Sequence, residues 1–280
     1  MNFKTAFKHS SPEEVLGLLR IGNGFSLLIY QFWILLPNWS DFFSKTGFVS
    51  PDKFSLYPAS WIFTFWEMDL VKAGLFILML LLTLFYTCGV FAKLSLIVLI
   101  PLVIGFHLAN PMIIHEPQQL TNLLMVILFF LPIEDAFVLR RGKDPWKKLP
   151  AAKLQIILMS MILFLGFYYL LAGLKKLPDM NWVRGEAVGM IAGWPYLGRN
   201  HYFAAVLQNP VVNFCVTWGA LVFELSFLPL MFTRWRYMLL VVGFIFHFAL
   251  AMFLDVGLFF WAMLQWYPLL LITPLRKSDR

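Results

Sequence analysis

Apolar runs of bilayer length recur from one end of the chain to the other, and they decide its class before any motif is read. About 20 mostly apolar residues cross a hydrocarbon core as a helix. Eight such runs are expected, over about 15–36, 70–88, 91–109, 119–138, 154–174, 211–232, 237–254 and 256–273. In lipid, only helices and closed barrels satisfy every backbone N–H and C=O. These runs are continuous rather than alternating, which excludes a barrel. Only 13% of the 280 residues are charged, about half the share of a soluble domain. The expected fold is therefore all-α: a polytopic transmembrane bundle of about eight spans, forming one domain over 1–280.

The ends and the charges refine this reading. The polar opening "MNFKTAFKHSSPEEV" is followed by no small-residue cleavage motif, so the first run reads as a retained signal-anchor. Cys88 and Cys215 lie on different spans and suggest neither a disulfide nor a metal site. With both termini cytoplasmic, the inner side carries fifteen of the 22 basic residues, including the cluster "RRGKDPWKK". That bias follows the positive-inside rule, so the net charge of +7 is explained by orientation and anionic lipid rather than nucleic acid. Long outer segments remain at 37–69, 110–118 and 175–210, with Trp39, Trp61, Trp66, Trp182 and Trp194 as interfacial aromatics. The stretch "SLYPASWIFTFWE" is expected to lie along the membrane surface.

Ionisable residues inside spans are costly and mark functional candidates. Arg20, His107, Lys175, Lys176, Glu224, His247 and Asp255 are the set here. Each has a structural reading too. Arg20 can snorkel to headgroups, His247 can be a packing histidine, and Asp255 can cap a turn. Glu224, near mid-span in "VFELSFLP", needs either a proton or a partner such as Arg20 or a histidine.

Lys175 and Lys176 end an aromatic run at "GLKKLPDMNW". Lysines at a span's end commonly snorkel. Two neighbouring ammonium groups repel, however, and partial burial also favours a neutral amine. Such an amine can serve as a general base or nucleophile. Pro178 then stops the helix, and "NWVRGEA" follows as a polar turn with an aromatic anchor. No Walker loop, dinucleotide fingerprint, HExxH or GxSxG motif is present.

These residues carry a family resemblance. "LLAGLKKLPDMNWVRGEA" resembles the KK segment of the vitamin K-dependent gamma-carboxylases and of the bacterial HTTM group that shares their membrane domain. "VLGLLRIGNGFSLLI", "TWGALVFELSFLPLMF" and "FHFALAMFLDVGLFFWAMLQWYPLL" resemble three further segments in the same order. The resemblance implies a site within the bundle, facing the non-cytoplasmic side of a bacterial inner membrane. Its cofactor would be a reduced quinone, like vitamin K or menaquinol, with no metal. In the carboxylases a lysine of the pair deprotonates the quinol, oxygen converts it to a strong base and then an epoxide, and carbon dioxide adds to a glutamate carbanion. By position in the motif, Lys176 is the deprotonating residue and Lys175 its neighbour, with His115 nearest the family's loop histidine. Gln118 and Gln119 are alternatives for that place. Arg20, Asn181, Trp182, Glu224 and His247 would bind or tune. A quinol hydroxyl titrates near that of a phenol, at about 10, so a neutral amine in a dry site suits it.

Two departures shape the expected function. The loop that holds the family's histidine reads "IIHEPQQLTN" here, and the chain ends at "PLLLITPLRKSDR" without the large C-terminal domain of the carboxylases. The first reading is a quinol-dependent lyase or oxygenase acting with membrane lipid, quinone and a secreted peptide. The alternatives are a non-enzymatic partner in maturation of, or immunity to, a secreted peptide, and a small-molecule or proton carrier using Arg20, Glu224 and His247.

Overall fold

A computed structural model describes residues 11–43, 69–110, 113–140, 149–198, 201–256 and 258–272. Among these the architecture is helical, with no strand. The expected surface segment with Trp61 and Trp66, the basic cluster beyond Arg140, and both termini lie outside the described residues.

Five helices are long and apolar enough to cross a membrane: Pro12–Leu35, Asp69–Cys88, Ala152–Lys176, Pro210–Leu230 and Arg236–Phe253. They match five of the eight expected runs. Of the other three, one gives a helix of nearly the expected length and two give shorter pieces. The run at 91–109 forms a helix with Pro101 inside it. The run at 119–138 is helical only to Phe129, because Pro132 disfavours helix in the residue before it and cannot itself donate to the ladder. The run at 256–273 breaks into Phe259–Leu264 and a 3-10 turn over Tyr267–Leu271, where Pro268 intervenes.

The chain divides into two compact units. The first, Glu13–Leu149, is built on α1 (Pro12–Tyr30), α2 (Trp39–Phe43), α3 (Asp69–Cys88), α4 (Ala92–Ala109) and α5 (Glu116–Phe129). A five-residue π-helix, Gln31–Leu35, continues α1. Polar residues recur on the buried side of α1 at near-helical spacing: Arg20, Asn23, Ser26 and, on the π-turn, Gln31. Asn23 donates to the Thr121 carbonyl at 2.8 Å and accepts from Tyr86 Oη at 3.0 Å. Ser26 meets Thr121 Oγ1 at 3.2 Å, and Gln31 donates to Thr83 Oγ1 at 2.9 Å. Between apolar helices in lipid, such bonds supply the specificity that greasy packing lacks.

The second unit includes 150–280 and is built on α6 (Ala151–Lys176), α7 (Met180–Val183), α8 (Ala187–Gly193), α9 (His201–Val206), α10 (Pro210–Leu230), α11 (Arg236–Phe253) and α12 (Phe259–Leu264). Its main seam is α6 against α10. Tyr169 of α6 stacks on Phe227 of α10 with centroids 4.0 Å apart, and Phe223 meets the same ring edge-on at 5.4 Å. One turn on, a Cβ at Gly173 would fall 3.3 Å from Glu224 Cβ and closer still to Leu225. The missing side chain lets the two helices approach at the level of Glu224.

Candidate functional site

The close approach at Gly173 sets the distance across which Lys176 and Glu224 meet. Lys176 Nζ lies 2.6 Å from both Glu224 Oε1 and Oε2. The Glu224 side chain is 9% exposed and that of Lys176 24%. The amine also donates to the Ala172 carbonyl, one turn back on its own helix, at 3.3 Å. Helical side chains lean toward the N-terminus, and here the lean carries the amine back along α6. A snorkelling lysine would extend the other way, so the structural reading offered by the sequence does not describe Lys176.

Its neighbour behaves differently. Lys175 is exposed, and residues one apart on a helix do not face each other. The repulsion expected between the two ammonium groups is therefore not the main electrostatic influence on Lys176. The Glu224 carboxylate is.

The turn after α6 closes over this pair. Asp179 caps α7 by accepting the Asn181 N–H at 2.9 Å, and the Glu186 N–H donates to the Asn181 carbonyl at 2.8 Å. Asn181 is thus placed by its backbone. Trp182 is carried to the amine, whose Nζ sits 5.1 Å from the ring centroid. Trp218 Nε1 donates to the Val183 carbonyl at 3.2 Å and ties the turn to α10. The pair thus has an aromatic face on one side and apolar helix seams beneath it.

His247 is buried among aromatics and shares a 2.6 Å hydrogen bond between its Nε2 and Tyr169 Oη. Tyr169 Oη in turn lies 2.8 Å from Tyr267 Oη. His247 Nδ1 has no partner among the described residues. The sequence reading singled out His247 but neither tyrosine. Both sit in aromatic-rich runs where one more tyrosine reads as packing. Their only signal is position: Tyr169 is seven residues before Lys176, hence on the same face of α6.

Arg20, His107 and His115 belong to the other unit. Arg20 is fully buried and donates to the carbonyls of Ile133 at 2.7 Å, Ala136 at 3.3 Å and Phe137 at 2.5 Å. It fastens the loop after α5 rather than reaching for headgroups. His115 is exposed at the start of α5 and makes no capping bond. Of the two alternatives, Gln119 is exposed, whereas Gln118 is buried and donates to Asn122 Oδ1 at 2.9 Å. Asn122 continues to His107 Nδ1 at 3.1 Å.

The structure thus joins Lys176, Glu224 and Trp182, with Tyr169 and His247 deeper in the same unit. No curated protein and no solved structure matches the chain. The HTTM domain family model matches residues 9–273, nearly the whole length. The matched range takes in the segments around Arg20, the lysine pair, Glu224 and His247, and the chain belongs to the HTTM domain family.

Proposed function

We propose that this membrane protein is a quinol-dependent enzyme in which Lys176 and Glu224 form the proton-handling pair. The carrying observation is the double contact of the amine with both carboxylate oxygens at 2.6 Å. A lone charge at such a site would be expensive. The pair is neutral overall whether its proton lies on nitrogen or oxygen, which lowers that cost. When the proton lies on Glu224, the free amine of Lys176 is the base that accepts a hydroxyl proton. The ammonium so formed is held by the Ala172 carbonyl and the face of Trp182. A bound reduced quinone would supply the acidic hydroxyl and the electrons for oxygen chemistry. Lys175 is exposed away from the pair and takes no part in the transfer. The family resemblance supports addition of carbon dioxide to a secreted peptide as the reaction such an enzyme drives. The basic-residue asymmetry supports a bacterial inner membrane with the site reached from outside.

The test is direct. Purified protein with a reduced naphthoquinone and oxygen should form quinone epoxide, followed by mass spectrometry. Lys176→Ala should abolish it. If wild-type protein forms no epoxide and consumes no oxygen in a lysine-dependent way, the enzymatic reading fails and a role as partner in peptide maturation or immunity takes its place.

A further inference from the structure

The start of α10 carries a cleft that the lysine–glutamate pair does not use. It has a volume of about 450 Å³, within the range of small-molecule sites. Its floor is apolar: Leu207, which is buried, and Val211 and Phe214, which are exposed along the flank of a membrane-length helix. Its rim carries Arg184, Glu186 and Gln208, all exposed. The side chains of these three make no ion pair or hydrogen bond among the described residues. One cation and one anion thus line one cleft without a partner among the described residues.

The cleft is built rather than incidental. Asn213 Nδ2 donates to the Glu186 carbonyl at 3.2 Å, and the Gly189 N–H donates to Asn213 Oδ1 at 2.9 Å. Thr217 Oγ1 accepts from the Val188 N–H and donates to Asn213 Oδ1, both at 3.2 Å. These bonds hold the segment 186–189 against α10. Gly185, between the two charged residues, has φ +79°, and a Cβ there would collide with Phe214. The glycine lets the charged rim sit directly on the aromatic floor.

Position fixes the depth. Pro210 opens a 21-residue apolar helix, so the cleft lies where that helix leaves the hydrocarbon, in either orientation of the chain. Trp194 and Tyr196 in the same unit are 58% and 90% exposed, as interfacial aromatics are. The helix end itself is not the anion's partner. Asn209 already accepts the N–H groups of Val211 and Val212.

We infer that this cleft binds a phosphoethanolamine group, with Arg184 on the phosphate, Glu186 and Gln208 on the ammonium, and an attached acyl chain along Val211 and Phe214. A primary ammonium offers three donors to Glu186 and the Gln208 carbonyl. A quaternary choline offers none, and a glycerol headgroup lacks the cation. The inference is independent of the quinol chemistry and stands or falls without it.

Full-length protein in detergent, incubated with equimolar phosphatidylethanolamine, phosphatidylcholine and phosphatidylglycerol, is read by native mass spectrometry. Phosphatidylethanolamine should be retained about tenfold over the other two, the worth of a charge-assisted hydrogen bond. Glu186→Gln should erase the preference over choline, and Arg184→Gln should lower retention of phosphatidylethanolamine about tenfold. Both positions are exposed, and circular dichroism checks that each variant stays helical. Soluble glycerophosphoethanolamine distinguishes the sources: displacement at equal concentration assigns the site to the free compound, and its absence assigns it to the lipid. Equal retention of all three lipids, unaltered by either substitution, overturns the assignment. So does capture of a charged peptide in place of the phosphoethanolamine group.

Discussion

Lys176 and Glu224 stand 48 residues apart in sequence, yet the amine of one lies 2.6 Å from each carboxylate oxygen of the other. The contact crosses the α6–α10 seam and links the last residue of α6 to the interior of α10. It therefore supports the fold, and substitution can separate that role from the proton handling proposed for the pair.

Removing one partner leaves the other charged and partly desolvated. Glu224 is the more enclosed, at 9% side-chain exposure, so Lys176→Ala should cost about 2 kcal/mol, between exposed and fully buried pairs. The double substitution Lys176→Met with Glu224→Leu should regain most of this. Thermal unfolding in detergent measures both.

Catalysis should divide the two lysines sharply. Lys175 is exposed and Lys176 contacts Glu224, so Lys175→Ala should retain near wild-type epoxidation. Lys176→Ala should lose at least about 100-fold, the lower range for a general base. Equal losses at both positions in a turnover assay would remove the assignment.

Tyr169 is the centre of a buried polar cluster, bonded to both His247 and Tyr267. Tyr169→Phe strands both partners and should destabilise by about 1–3 kcal/mol. Tyr267→Phe removes only the outer hydroxyl and should cost less. A double-mutant cycle of Tyr169→Phe with Tyr267→Phe should show coupling, since the residues touch.

Arg20 serves three carbonyls of one loop with a planar fork that a lysine cannot match. Arg20→Lys should leave at least one buried carbonyl unpaired and cost about 1–3 kcal/mol. Hydrogen exchange should rise over 133–137 before it rises elsewhere in that unit.

Two glycines in the second unit should respond in opposite directions. Gly185→Ala meets a positive φ and Phe214, and should cost about 1–3 kcal/mol. A Cβ at Gly219 meets nothing within 4 Å inside α10, so Gly219→Ala should be neutral or stabilise by up to about 1 kcal/mol. Melting temperatures of the two variants decide it.

Much of this was legible in the sequence because lipid imposes a simple rule on the backbone. Apolar length located the helices, and it overran where Pro132 and Pro268 fall within a run; at Pro101 the helix continues. Cost of burial located Glu224 and His247, since charge in hydrocarbon demands a partner. The identity of the partner was not legible. Glu224 meets Lys176 because Gly173 lets two helices close, and a pairwise approach of that kind depends on side chains 48 residues apart. Arg20 showed the same limit: its carbonyl partners carry no signature of their own. Tyr169 and Tyr267 were hidden for a different reason, since a phenol suits an apolar interior whether or not its hydroxyl is used.

The pair lies at a depth well inside α10. Glu224 is fourteen residues after Pro210 in α10, about 21 Å along a helix of about 31 Å. The backward lean of Lys176 places its amine at that depth too. In an energised membrane, a proton moving between one side and the pair crosses part of the voltage drop, and the full drop is worth about 2.3 kcal/mol per 100 mV. Occupancy of the pair then depends on membrane potential, and turnover in proteoliposomes should change when a potassium–valinomycin gradient is reversed.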